Sequence, residues 1–182
     1  MKAVVIYESM YGNTHLIAEA IGTGLREYGE AVVVPVQGAT DAIAAGPDLV
    51  VVGGPTHAHG MSHESTRKGA IAAAEKPQSP LTIDPDAPGP GLREWLDDLG
   101  QVAVDAAAFD TRFDAPAALT GRASKGITRK LRHHGARVIA EPESFLVTKG
   151  DELEPDEEGR ARTWGAQLGQ MTSGVATSSR PA

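Results

Sequence analysis

Within six residues, Ser9-Met10-Tyr11-Gly12-Asn13-Thr14, the chain places two aliphatic hydroxyls, a side-chain amide and a glycine. An apolar, β-branched run precedes them (Val4, Val5, Ile6), and Leu16, Ile17, Ala20, Ile21, Leu25 and Tyr28 follow at helical spacing. A buried strand therefore empties through a tight turn into the start of a helix. The first amides of a helix have no partner within it and sit at the positive end of its dipole, so such a turn is a socket for an anion, phosphate above all. A triphosphate loop needs a Lys after its last glycine, whereas Asn13 follows Gly12 here. A dinucleotide turn needs three spaced glycines, and this turn has one. What remains is a socket for a single terminal monophosphate, set against the simpler alternative of an Asn/Ser/Gly turn that only caps a helix.

Other groups carry weaker chemistry. His57 and His59, with His63 and Glu64, offer metal ligands. A closed metal site needs three or four rigidly held ligands with a second shell behind them, and this spacing is not diagnostic of one. Solvated loop histidines are the simpler reading, and no metal is expected. His133 and His134 lie late in a basic helix, where the dipole favours cations, and are read as structural. No nucleophile or acid-base pair stands out, so no catalytic residue is expected. With no cysteine, disulfides, thiolate metal sites and iron-sulfur ligation are excluded, and any redox chemistry must come from a bound organic cofactor.

The elements that position these residues follow from the rest of the pattern. A length of 182 residues fits one domain, expected over 1–172, with a small polar tail over 173–182. The net charge of -7 argues against nucleic acid and suits docking against a basic partner. No apolar run approaches the roughly 20 residues of a membrane span, and no leader pattern precedes the first strand, so a cytoplasmic protein is expected. Strands are expected at Val4–Ile6, Ala31–Val36, Leu49–Val52, Gln101–Ala108 and Arg137–Ala140, with Pro142 forcing an edge or a break before Phe145–Val147. Helices alternate with them: one capped by Thr40 and running through Ala45, one from Ser65 or Thr66 to Ala74, and one from Leu92 to Leu99 anchored by Trp95. A further helix from Lys125 to His134 is capped by Ser124, and a last one begins at Pro155 with Trp164, Leu168 and Met171 facing inward. The Pro-rich segment 75–91 reads as a flap or partner surface, or as a loose insertion. This alternation predicts an α/β fold: a doubly wound, five-stranded parallel sheet with helices on both faces.

The pattern Ser9-x-x-Gly12-Asn13-Thr14, between first strand and first helix, resembles the phosphate loop of the flavodoxin family, and the likeness extends over roughly 1–172. The resemblance implies the strand order 2-1-3-4-5 and FMN as cofactor, its monophosphate held by Ser9, Met10, Tyr11, Gly12, Asn13 and Thr14. It implies a second flavin loop at Pro55, Thr56, His57, Ala58, His59 and Gly60, in which a backbone carbonyl of a glycine turn faces the flavin N5. Gly60 fits that place better than Gly54, and histidines stand where most flavodoxins carry an aromatic ring. A third loop is implied at Phe109, Asp110, Thr111 and Arg112. There Phe109 or Phe113 would stack on the flavin, while Asp110 and the backbone would take its ring N–H groups. Arg112, near the N1/O2 side, would favour the anionic reduced form and raise the potential. Alternatively, Arg112 only pairs with Asp110 or Asp114.

The reading that follows is an FMN-binding redox protein transferring electrons to a redox protein partner or a small electron acceptor. Two alternatives stay open: a small FMN-dependent quinone reductase or oxidase, and a flavodoxin-shaped binding or scaffolding module without flavin. A phosphate-accepting receiver of the same topology is excluded, because Glu8 has no acidic neighbour and the third strand ends in Gly53-Gly54 rather than Asp.

Overall fold

Two runs of small and β-branched residues, β1 (Lys2–Tyr7) and β3 (Leu49–His57), lie side by side at the centre of a parallel sheet. The structure is a computed structural model that describes residues 1–57 and 59–178, of which 175–178 by backbone alone. β2 (Glu30–Pro35) pairs with β1, and β5 (Asp105–Phe113) pairs with β3, both parallel. Beyond β5, one place in the sheet is shared by β6 (Arg137–Val138) and β7 (Glu143–Val147), which pair with the first and second parts of β5. Counting that place as one, the parallel strands run β2-β1-β3-β5-β6/β7, which, numbered as five parallel strands, is the order 2-1-3-4-5. The break falls around Pro142, which has no N–H to give the ladder. A two-residue β4 (Gly60–Met61) folds back antiparallel on the end of β3.

Because alternate residues of a strand point to opposite faces, the central strands feed two cores. Val5, Tyr7, Val51 and Phe109 meet Ile17, Ile21 and Leu25 of α1 (Asn13–Leu25) and Trp164 and Leu168 of α7 (Glu157–Ser178). Val4, Ile6, Val50 and Val52 meet Leu92, Trp95 and Leu96 of α4 (Leu92–Asp98) and Ile127 and Leu131 of α6 (Ala123–His133). Helices therefore cover both faces, which is why these strands read as continuous apolar runs.

Several boundaries differ from expectation. β3 runs on to His57 and β5 spans Asp105–Phe113, so 53–57 and 109–113 are strand ends rather than loops. α2 (Ala39–Ala44) begins before Thr40 and α6 before Ser124, and neither helix has a side-chain cap. α3 (Glu64–Ala74) starts behind His63, whose N–H donates to the Thr66 hydroxyl. A short α5 (Ala117–Thr120) was not foreseen. α7 continues through Ser178, so much of the expected tail is helical; 179–182 lie outside the described residues. Met171 is half exposed rather than inward-facing.

α1 and α7 approach closely enough that glycine is needed at the crossing. A Cβ on Gly165 would lie 2.2 Å from the Ile21 carbonyl oxygen, and one on Gly24 would lie 2.0 Å from that of Arg162. Backbone cannot swing aside, so overpacking at about 1–3 kcal/mol outweighs the roughly 1 kcal/mol by which Ala is the better helix former. Gly165→Ala is expected to lower the unfolding free energy in a urea titration. A neutral or stabilised variant would mean that the helices are not this close.

Candidate functional site

The carboxyl ends of β1, β3, β5 and β7 surround a cleft of about 220 Å³. On its β1 side, Gly12 has φ +96°, a left-handed conformation that a side chain would strain, and it delivers the chain into α1. Ser9 is buried, and its Oγ accepts the Gly12 N–H at 3.1 Å, so this hydroxyl holds the turn from inside rather than lining the cleft. Met10 lines the cleft while packing with Ala70 and Ala87, and the Tyr11 hydroxyl donates to the Ala70 carbonyl at 3.0 Å. α1 has no side-chain cap and no acid in its first turn. Among the described residues, no acceptor meets the amides of Asn13, Thr14 and His15. The hydroxyls of Thr14 and Thr111 share one hydrogen bond at 2.8 Å, which uses one of their two protons and leaves the other free. This is a donor-rich end facing a cavity, suited to an anion.

The Pro-rich segment 75–91 braces that turn from behind. The Asp84 N–H donates to the Met10 carbonyl at 2.9 Å, and the Asp84 carboxylate lies 3.4 Å from His15 Nδ1. The His15 ring stacks on Tyr7 at 4.4 Å, and the Tyr7 hydroxyl donates to Asp86 at 2.8 Å. Burial and that carboxylate push the Tyr7 phenol far up, so it stays protonated. The segment is thus neither a loose insertion nor a flap over the cleft. His57, His59, His63 and Glu64 do not converge; the one His/Asp/Glu group at metal-ligand spacing among the described residues is His15, Asp84 and Asp86.

On the β3 side, Pro55, Thr56 and His57 line the cleft, with the Thr56 hydroxyl also accepting the Ala123 N–H at 3.0 Å. Ala58 lies outside the described residues. His59, at φ +74°, is exposed on the far side of the β3–β4 hairpin with its backbone against Gly121, and Gly60 pairs with His57; neither lines the cleft. His57 is half-buried, and desolvation lowers its pKa, with Glu8 opposing and Arg67 adding to the shift, so the ring is neutral at neutral pH. Glu8, not singled out from the sequence as part of the site, is buried there. One of its oxygens accepts the Leu92 N–H at 2.6 Å, and the other has no partner among the described residues.

On the β5 side, two expectations need correction. Phe109 is fully buried: its ring fills the space over Gly53, where a Cβ would lie 2.2 Å away, and it meets Phe145 edge-on at 6.2 Å. Asp110 is fully buried as well, and its carboxylate accepts the Ser124 N–H at 2.8 Å, fastening the start of α6. Both follow from β5 running on past Ala108, which keeps 109 and 110 in the sheet interior. Thr111, Arg112 and Phe113 do line the cleft, and Phe113 is 52% exposed, leaving a ring face open. Arg112 pairs with neither Asp110 nor Asp114. Its guanidinium donates to the Ala115 carbonyl at 2.6 Å and the Phe113 carbonyl at 3.2 Å, so its charge is uncompensated by any carboxylate among the described residues. Val147, which ends β7, and Asp151 beyond it complete the lining. Sequence reasoning missed them, although the turn after the last strand must rise at the same edge.

The flavodoxin family model matches residues 5–164. Among solved structures, a flavodoxin from the domain Archaea is 20% identical, with a TM-score of 0.63 over 94% of this chain and 99% of that one. Oxidised flavodoxin 1 of Bacillus cereus is 21% identical, with a TM-score of 0.62 over 93% and 98%. A WrbA-like protein of Agrobacterium tumefaciens is 19% identical, with a TM-score of 0.60 over 94% and 96%. At these identities the likeness is one of fold. No curated protein matches the sequence.

Burial raises the Asp151 carboxyl to about 6, against an ordinary 3.8, with Asn13 opposing the shift by hydrogen bonding. Between those values the folded chain keeps a proton that the unfolded chain has lost. This contribution to stability is therefore complete below 3.8 and gone once pH rises through about 6. Asp151→Asn, which cannot ionise, should match wild type at pH 4 and exceed it by about 1 kcal/mol at pH 8, the full shift being discounted for partial exposure. Urea titrations at the two pH values check this, and equal stabilities at pH 8 would contradict it.

Proposed function

The chain belongs to the flavodoxin family, and from that premise we propose that it binds FMN non-covalently in this cleft and serves as an electron-transfer protein. The observation that carries the reading is the uncapped, acid-free start of α1, whose unpartnered amides and spare threonine proton meet the cleft. A monophosphate matches that donor set. The residues that would hold FMN are Asn13, Thr14 and Thr111 at the phosphate end, with Tyr11, His57 and Phe113 as aromatic surfaces around the rest. The cleft's volume of about 220 Å³ falls below the roughly 300 Å³ at which ligand-enclosing pockets begin, which suits a cofactor held at one end and open to a partner at the other. When bound, FMN supplies the electron chemistry; the protein supplies binding, orientation and charge. His57 contributes a neutral imidazole, and Arg112 a fixed cation that stabilises negative charge on a reduced ligand.

Three measurements test this. Apoprotein titrated with FMN at micromolar concentration should quench flavin fluorescence; unquenched fluorescence would leave the flavin-free module. Thr14→Val should weaken FMN by about tenfold, from loss of one charge-assisted hydrogen bond, with little effect on riboflavin. Equal losses for both ligands would contradict the phosphate assignment. Arg112→Ala should lower the reduction potential by on the order of 100 mV, from one charge acting at an effective dielectric near 20, while Arg112→Lys keeps most of it. Equal potentials in all three proteins would remove Arg112 from that role.

A further inference from the structure

Charge in this chain is segregated. Asp and Glu outnumber Lys and Arg by 24 to 17, yet no carboxylate occurs between Asp114 and Glu141, a stretch holding Arg122, Lys125, Arg129, Lys130, Arg132 and Arg137 with His133 and His134. Arg122, Lys125, Arg129, Lys130, His133 and His134 line a groove of about 1000 Å³ that runs from His59 and Gly121 to the end of α6, whereas Arg137 is taken up by Asp105. Arg93 and Asp97 of α4 form the opposite wall. Asp97 is the only acid in the lining, and Lys130 already engages it. Arg122 donates to Ser144 Oγ at 3.0 Å and meets no carboxylate among the described residues, whereas Arg93, which donates to the Met61 carbonyl at 2.6 Å, shares the field of Asp97 with Lys130. Lys125 and Arg129 are exposed and meet no carboxylate among the described residues.

This arrangement costs the fold stability. Lys125 and Arg129 stand four residues apart on one helix face, a spacing at which like charges repel. Lys125 also lies in the first turn of α6, at the positive end of the helix dipole, where a cation is unfavourable. The dipole accounts for Lys130, Arg132 and His133 in the last turn but not for Lys125 or Arg129. An anionic occupant would.

We propose that this groove is the docking surface for an acidic electron-carrier protein, whose carboxylates meet Lys125 and Arg129; this rests on the FMN reading above. The groove ends at His59, two residues along the same hairpin from His57, which lines the cleft, with the His59 backbone against Gly121. A carrier seated there touches the wall of the flavin site. The hairpin also separates groove from cleft. A small anionic substrate in the groove could not reach a bound flavin, whereas an electron crosses such a wall without contact. In the step, the carrier is oxidised by one electron and the bound FMN is reduced by one, with any proton drawn from solvent. The acidic remainder of the chain discourages docking of such a carrier elsewhere.

The test uses a plant-type [2Fe–2S] ferredoxin, an acidic carrier, titrated calorimetrically against apo and FMN-loaded protein, wild type and Lys125→Glu/Arg129→Glu. Wild type in both forms should bind at 20 mM salt and at least about tenfold more weakly at 200 mM. The double variant should lose binding while keeping its FMN affinity, with a thermal midpoint no lower than that of wild type, since it removes a cation from the positive end of the α6 dipole. Absence of binding by wild type at low salt, or equal binding by the variant, overturns the proposal. So does calorimetric binding of ADP or pyrophosphate in place of ferredoxin, which would make the groove a small-anion site. Salt-sensitive self-association in sedimentation, abolished in the variant and with no ferredoxin bound, would assign the groove to a second copy and overturn it too. Ferredoxin binding to a protein that takes up no FMN would uphold the docking surface and remove the flavin reading instead.

Discussion

An amide that starts a helix must find an acceptor or stay polarised toward solvent, and the start of α1 is built to leave several without one. Gly12 supplies the left-handed turn, Ser9 ties the turn from inside, and neither a cap nor an acid neutralises the first turn. Such an end is a liability unless something anionic meets it. The surroundings keep it in place: Asp84 grips the Met10 carbonyl, Tyr11 reaches Ala70, and Thr14 is locked to Thr111 on a strand far away in sequence. The rest of the candidate site depends on this rigid, donor-rich end.

The sheet imposes the second constraint. With both faces covered, side chains near the carboxyl ends of the strands are drawn either into a core or toward the cleft, and strand length decides which. β5 runs on to Phe113, so Phe109 closes over Gly53 and Asp110 fastens α6, leaving Thr111, Arg112 and Phe113 at the opening. The same helix, held at its start by Asp110 and Thr56, turns its cations outward beside the β3–β4 hairpin. Positioning of the cleft and of the basic face thus goes back to one junction between β3, β5 and α6.

Much of this was legible without coordinates. Apolar runs at Val4–Ile6 and Leu49–Val52, separated by helical periodicity, suffice for a parallel α/β sheet, because only a strand buried on both faces tolerates such a run. Ser9-x-x-Gly12-Asn13-Thr14 suffices for a donor-rich helix start, because turn chemistry is local. Pro142 announced the break in the last strand, since a missing N–H is a property of the residue itself.

Other features depended on distance in space. Nothing local tells that β3 and β5 extend as far as they do, because strand ends are set by the neighbour they pair with. The burial of Phe109 and Glu8, the bracing of the turn by 75–91, and the arrival of Asp151 beside Asn13 all join residues dozens of positions apart. The sequence by itself determined the fold class and the place of the donor-rich turn, through periodicity and backbone chemistry. Tertiary structure alone decided which side chains reach the cleft and where the cations gather, since burial and field are sums over neighbours that no window of sequence contains.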